Sequence, residues 1–99
     1  MAGIIHGRVT VASAGTAVRF TARPTLIKYL LLEVPSGNTG SIYVGDSTVA
    51  SNNTPSITKG TTRDFTFRRD IKEAPGDLSD FYADAGTNGD VINYLAITI

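Results

Sequence analysis

Apolar and polar residues alternate with a period of two along most of the chain, a pattern that predicts β-strands. Residues 4–11 and 17–22 alternate in this way, and residues 63–71 do so again further along the chain. Residues 26–34 are apolar almost throughout, and Pro24 and Pro35 bracket them. This run is typical of a strand buried on both faces or of a helix of barely three turns. We favour the strand.

The carboxyl-terminal quarter, residues 75–99, predicts two strands joined by a tight turn. Asn88-Gly89 is a strong hairpin signal, because glycine tolerates the positive φ that a type I′ turn requires. The final strand, residues 91–99, is largely apolar on both faces and contains no lysine, arginine or proline that would guard an edge. We therefore expect an exposed edge strand whose second face needs cover from another sheet or subunit.

Turn signals separate these segments at short intervals. Residues 36–40 form a loop by composition, residues 41–45 a short strand, and residues 46–60 a long polar connection. This connection is either a functional or partner-ordered loop or a plain surface excursion with a short strand near 56–58. The whole pattern predicts an all-β fold, an antiparallel β-sandwich that is jelly-roll-like, with about seven or eight strands. We expect residues 1–99 to form a single domain, because 99 residues lie near the common domain size.

Composition narrows the possible functions. The chain has no cysteine, so it can form neither a disulfide nor a cysteine-ligated metal site. Its formal net charge is zero, with nine basic and nine acidic residues, which argues against a nucleic-acid backbone or an anionic membrane as partner. The first residues lack the pattern of a signal peptide. We expect synthesis in a cytoplasm.

Few residues are candidates for catalysis or metal binding. His6 is the single histidine, and neither a nucleophile elbow nor a phosphate-binding glycine motif occurs. Four aspartates lie close together in sequence: Asp77, Asp80, Asp84 and Asp90. They admit a loose calcium site, but a role in forming and solvating turns explains them better. We expect no catalytic residue, no cofactor and no metal.

Contacts between subunits are the better functional prediction for the remaining charged and apolar candidates. Arg8, Arg63, Arg68 and Arg69 are largely offset by nearby acidic residues, which favours salt bridges between subunits over nucleic-acid binding. The other interpretation of these arginines is an ordinary solvated strand face. The apolar ends of the chain add further candidates. The predicted interface residues are Ile4, Ile5, Arg68, Arg69, Ile97 and Ile99.

Three segments carry a resemblance to a known family. They are G-R-V-T-V in residues 7–11 with A-G-T-A-V in residues 14–18, N-T-G-S-I-Y-V-G-D in residues 38–46, and D-L-S-D-F-Y in residues 77–82 followed by N-G-D in residues 88–90. Together they resemble small tailed-bacteriophage virion proteins of the capsid cement or decoration type. The likeness departs in residues 51–67 and at Phe81 and Ala83. It implies a non-enzymatic subunit that binds the major capsid protein on the capsid surface of the virion as a homo-oligomer, a trimer or dimer.

An alternative function stays open. The chain would then be a tail, baseplate or fibre component with a receptor- or carbohydrate-binding role. Tyr43, Tyr82 and Tyr94 would supply platforms on which sugars stack, and residues 46–60 would supply hydrogen bonds.

Overall fold

The computed structural model describes residues 3–67 and 76–99, which form two antiparallel β-sheets. The strands are β1 (Ile4–Thr10), β2 (Val18–Arg19), β3 (Leu26–Val34), β4 (Ile42–Gly45), β5 (Ser56–Ile57), β6 (Thr61–Thr66), β7 (Gly76–Asp77), β8 (Tyr82–Ala85) and β9 (Val91–Thr98). One turn of 3-10 helix, Leu78–Asp80, precedes β8. The predicted all-β sandwich is confirmed. The described strands number nine rather than seven or eight, because β2, β5 and β7 are only two residues long.

The order of the strands is that of a jelly roll. One sheet has the order β1-β9-β3-β6, with β7 also pairing with β3, and the other has the order β2-β8-β4-β5. When β7 is set aside, each strand is followed by a strand of the opposite sheet, except at the step from β4 to β5. Two four-stranded sheets connected in this way are the jelly-roll arrangement. No helix in the described ranges is long and apolar enough to cross a bilayer.

This topology corrects two predictions about the carboxyl-terminal segment. The predicted hairpin is wrong, because β8 and β9 lie in different sheets. Gly89 does have a positive φ of 84°, but its turn carries the chain from one sheet to the other, and its N–H donates to the Val11 carbonyl at 2.8 Å. The predicted edge position of the last strand is also wrong, because β9 lies between β1 and β3.

The core lies between the sheets, and β3 supplies much of it. Ile27, Leu30, Leu32 and Val34 are fully buried. The register of β3 against β9 shifts between Ile27 and Tyr29, which is a β-bulge. The core-facing positions therefore change from odd to even numbers at the bulge. This change turns the odd-numbered residues after the bulge toward the outer face of the sheet.

Candidate interaction surface

The outer face of the five-stranded sheet is lined with apolar side chains. Residues directly opposite one another in an antiparallel sheet project to the same side, so the strand register defines rows of neighbours. One row joins Ile4, Ile97 and Tyr29 across β1, β9 and β3. The next row joins Leu95 to Leu31. Both rows face away from the core, because the alternating positions on β3 and β9 are buried.

We call this surface the outer apolar face. Ile4 is 69% exposed and Leu26 is 51% exposed, which makes them the exposed large apolar side chains of the described residues. Ile99 adjoins Leu26, to whose carbonyl its backbone N–H donates at 3.3 Å. The complete outer apolar face consists of Ile4, Leu26, Tyr29, Leu31, Leu95, Ile97 and Ile99.

Polar groups border this face. In the row beyond Leu95, the Arg8 Nε–H donates to the Asn93 Oδ1 at 2.7 Å, and the Asn93 amide donates to the Glu33 Oε1 at 3.0 Å. On β6, the Asp64 carboxylate accepts a hydrogen bond from the Tyr29 hydroxyl at 3.1 Å. Desolvation and this hydrogen bond raise the pKa of Tyr29 above its ordinary value. An apolar centre with a polar rim is the usual anatomy of a protein interface.

The structure brings together part of the predicted interface set. Ile4 and Ile97 are direct neighbours on the outer apolar face, and Ile99 extends it. Ile5 instead packs half-buried against the core. Arg68 and Arg69 lie outside the described residues. His6 is exposed on β1, opposite Leu95 and at the border of the face.

The predicted interface set omits four members of this face: Leu26, Tyr29, Leu31 and Leu95. Leu26, Tyr29 and Leu31 stand in the apolar run of β3, where the sequence gives no sign of which residues face outward. The bulge between Ile27 and Tyr29 determines which residues of β3 face outward. No residue type in this strand indicates the position of the bulge. The one usable signal was the apolar second face of the last strand, which includes Leu95.

The outer face of the four-stranded sheet carries two of the three tyrosines of the alternative function. Tyr82 lies opposite Gly45, and Tyr43 lies opposite Asp84, so the two tyrosines are diagonal neighbours on β8 and β4. Both are half-exposed, and the Arg19 guanidinium lies 5.8 Å from the centre of the Tyr82 ring. Tyr94 packs against the core instead, where the centre of its ring lies 5.4 Å from the centre of the Phe20 ring.

The aspartates of the loose calcium hypothesis hold the backbone in place. Both oxygens of Asp90 accept backbone N–H groups, from Thr39 at 2.9 Å and from Gly40 at 2.8 Å. The Asp84 Oδ1 accepts from Gly15 N–H at 2.9 Å. Neither a pocket nor a cluster of three or more metal-ligating residues occurs in the part of the chain that the structure describes.

Asp77 anchors the entry to the 3-10 turn. Its Oδ1 accepts hydrogen bonds from the Thr25 N–H at 2.9 Å, the Ser79 N–H at 2.9 Å and the Ser79 hydroxyl at 2.8 Å. These bonds, with that from Thr25 the largest cause, hold the pKa of Asp77 below its ordinary value. Asp80 is exposed at the end of the same turn.

The long polar connection of residues 46–60 is organised by its own hydrogen bonds. Asp46 accepts from the Thr48 N–H at 2.9 Å and from its hydroxyl at 2.6 Å, and the hydroxyl bond is the largest cause that lowers the pKa of Asp46. The Asn53 side chain donates to the Thr48 carbonyl at 2.9 Å. Val49, in the same connection, is buried. The predicted short strand at the end of this connection is confirmed as β5.

Comparison with known proteins establishes the fold but no family. No protein-family model and no curated protein matches the chain. Its structure is similar to that of a Bacillus endospore-appendage protein from disulfide-linked pili, with a TM-score of 0.52, 16% identity, and coverage of 99% of this chain and 86% of that one. At this identity the likeness shows a shared fold.

Two more distant likenesses carry no argument about this chain. The coat protein of Tobacco streak virus has a TM-score of 0.42 and 16% identity over 99% of this chain and 85% of that one. A carbohydrate-binding module from Cellvibrio mixtus lichenase 5A has a TM-score of 0.34 and 20% identity over 93% of this chain and 70% of that one.

Proposed function

We propose that the chain is a non-enzymatic structural subunit of a bacteriophage virion, of the cement or decoration type. In this role it binds the major capsid protein at the outer capsid surface and stabilises the shell as a homo-oligomer. The observation that carries the proposal is the outer apolar face. A contiguous apolar surface with a polar rim favours a protein partner, because its burial in an assembly removes apolar area from water.

The hydrogen bonds of the resembling segments are consistent with this proposal. Residues of the first segment meet residues of the third, through Gly15 N–H on Asp84 and Ala14 N–H on Asn88 at 2.7 Å. The second segment meets the third through Thr39 and Gly40 on Asp90. The residues of the three resembling segments therefore hold the fold together. This structural role supports a protein that functions through its surfaces rather than through a reactive site.

Stabilisation of the shell would follow from mass action. A subunit that binds only the folded, assembled capsid adds its binding free energy to the stability of the shell. The pilus protein with the similar fold belongs to disulfide-linked pili. This chain has no cysteine, so its assembly must rest on non-covalent contacts or on a covalent bond of another kind.

Localisation and reconstitution test the proposal. We expect antibodies against the chain to label the heads of purified particles in immunogold microscopy, and the purified protein to sediment with capsids stripped of it. Adding it back should raise the temperature at which the stripped shells rupture. Particles that lack the chain, or shells whose heat resistance does not change on adding it back, would contradict the proposal.

A tail, baseplate or fibre component with receptor- or carbohydrate-binding activity is the second candidate. The placement of Tyr43 and Tyr82 on one outer face favours it, since tyrosine rings present both an apolar body and a polar tip. Glycan-array binding that is lost in Tyr43→Ala and Tyr82→Ala, but kept in Arg23→Ala at an exposed loop residue, would support this function. Gold label on tails rather than heads would support it as well.

A further inference from the structure

We propose that a second copy of this chain covers the outer apolar face, with the two five-stranded sheets packed face to face about a two-fold axis parallel to the strands. This inference rests on the proposed function and deepens it by naming the occupant of the face. Two sheets that pack with nearly aligned strands interdigitate their side chains at a spacing of about 10 Å. Leu95 and Ile97 on β9 would then be buried against Leu31 and Tyr29 on β3 of the other copy.

Three charges, those of Arg8, Glu33 and Asp64, favour this axis. The cation Arg8 lies on β1, at one side of the face, whereas the anions Glu33 and Asp64 lie on β3 and β6, toward the other side. A two-fold axis parallel to the strands places β1 of each copy over β6 of the other. Arg8 of each copy then meets the side of the face where Glu33 and Asp64 of the other copy lie, and this happens twice in the dimer.

The other in-plane arrangement brings the like-charged sides of the face together. A two-fold axis perpendicular to the strands would place β1 over β1 and β6 over β6, so that the side with Arg8 meets the side with Arg8, and the side with Asp64 meets its counterpart. Like charges placed together across an interface suppress the wrong pairing. Asn93 engages the Nε–H of Arg8, one of the five donors of a guanidinium, so the bond within one copy does not exhaust its hydrogen-bonding capacity.

The size of the face sets the expected affinity. Four strands about 4.8 Å apart and four rows of outward side chains about 7 Å apart give a face of roughly 500 Å² per copy. This is less than the approximately 800 Å² per partner of a standard interface. We therefore expect isolated chains to associate weakly, with dimers forming as the protein concentration rises through the micromolar and millimolar ranges.

Charge-swapped variants test the arrangement. The dissociation constant of the dimer is measured by sedimentation equilibrium for the wild type, for Arg8→Glu, for Asp64→Arg, and for an equimolar mixture of the two variants. We expect each variant alone to dimerise at least about tenfold more weakly, because both rim contacts become repulsive. The mixture should dimerise as heterodimers, detected by native mass spectrometry, because both contacts are again attractive.

The control is Arg23→Glu, which makes the same charge change at an exposed loop residue before β3. It should dimerise like the wild type, and circular dichroism should show that all variants are folded. A wild type that stays monomeric at millimolar concentration overturns the inference. So does an Arg8→Glu variant that dimerises as tightly as the wild type, because across a perpendicular axis the substitution would only exchange one pair of like charges for another.

The same experiments separate this inference from the proposed function. A charge-selected dimer that neither labels particles nor binds capsids would leave the inference standing and contradict the virion role. A chain that binds capsids and stays monomeric at every concentration would support the virion role and overturn the dimer.

Discussion

At the scale of single residues, the aspartates illustrate what a sequence can and cannot predict. The role of Asp77 in forming a turn was predicted from residue type, and Asp77 performs it by accepting from Ser79 two residues later. The predicted role of Asp84 and Asp90 in solvating the hairpin is wrong, because both side chains are buried. Asp90 and Asp84 also tie down loops 51 and 69 residues away in sequence. Residue type indicates that such a carboxylate will accept backbone N–H groups. Which N–H groups it accepts depends on the topology.

Gly89 gives a prediction about backbone strain. Its φ of 84° lies in a region that L-residues rarely adopt, and no atom lies within 4 Å of an added Cβ. Gly89→Ala should therefore lower the free energy of unfolding by about 1 kcal/mol through backbone strain alone. Gly86→Ala is the matched control, since Gly86 has equally open space without the positive φ. Equal urea midpoints for the two variants would contradict this explanation.

Asp77 gives a prediction about pH. Its folded-state pKa is lowered, so its stabilising contribution is present above the unfolded pKa of about 3.9 and is lost as pH falls through the folded value. Asp77→Ala should lower the free energy of unfolding at pH 7 by about 1 kcal/mol. Asp77→Asn keeps an acceptor but cannot ionise. The stability difference between wild type and Asp77→Asn, measured by urea unfolding, should shrink between pH 5 and pH 2, whereas a constant difference would contradict the assignment.

At the scale of elements, local sequence signals predict the positions of strands well and the pairing between strands poorly. The bounds of β3 match the predicted run of residues 26–34, because Pro24 and Pro35 limit any regular structure there. Asn88-Gly89 correctly predicted a turn with positive φ. The hairpin that it also predicted does not form, because turn chemistry fixes local dihedral angles and not the sheet that the next strand joins. In a jelly roll that strand usually joins the opposite sheet.

The position of β9 sharpens a prediction about truncation. Removing residues 96–99 deletes the fully buried Ala96 and leaves parts of both β1 and β3 without a partner strand. We expect the truncated chain to be unfolded or insoluble, as judged by circular dichroism and sedimentation. Removing residues 1–3 should be tolerated far better, since among the described residues it deletes only the hydrogen bonds between Gly3 and Thr98. A folded protein after the carboxyl-terminal deletion would show that β9 is not central to the sheet.

At the scale of the whole molecule, the sequence indicated that an apolar surface needed cover but not where that surface lies. The apolar second face of the last strand was recognised, and it was assigned to an exposed edge. In the structure β9 has a partner strand on each side, and the surface that needs cover is the broad outer face of the five-stranded sheet. The face is assembled from β1, β3 and β9, which are distant in sequence. Only their pairing register shows that Ile4, Leu31 and Leu95 belong to one surface.

Neighbouring isoleucines on β1 separate folding from assembly. Ile4 is 69% exposed on the outer apolar face, so Ile4→Lys should change the free energy of unfolding by no more than about 0.5 kcal/mol. It should nevertheless weaken dimerisation, because it removes an exposed apolar side chain from the contact between the two copies. Ile5→Lys places the same charge against the core and should lower stability by about 2 kcal/mol or more. Urea unfolding and sedimentation measure the two effects separately. An Ile4→Lys variant that is stable and associates like the wild type would show that the outer apolar face is not an assembly surface.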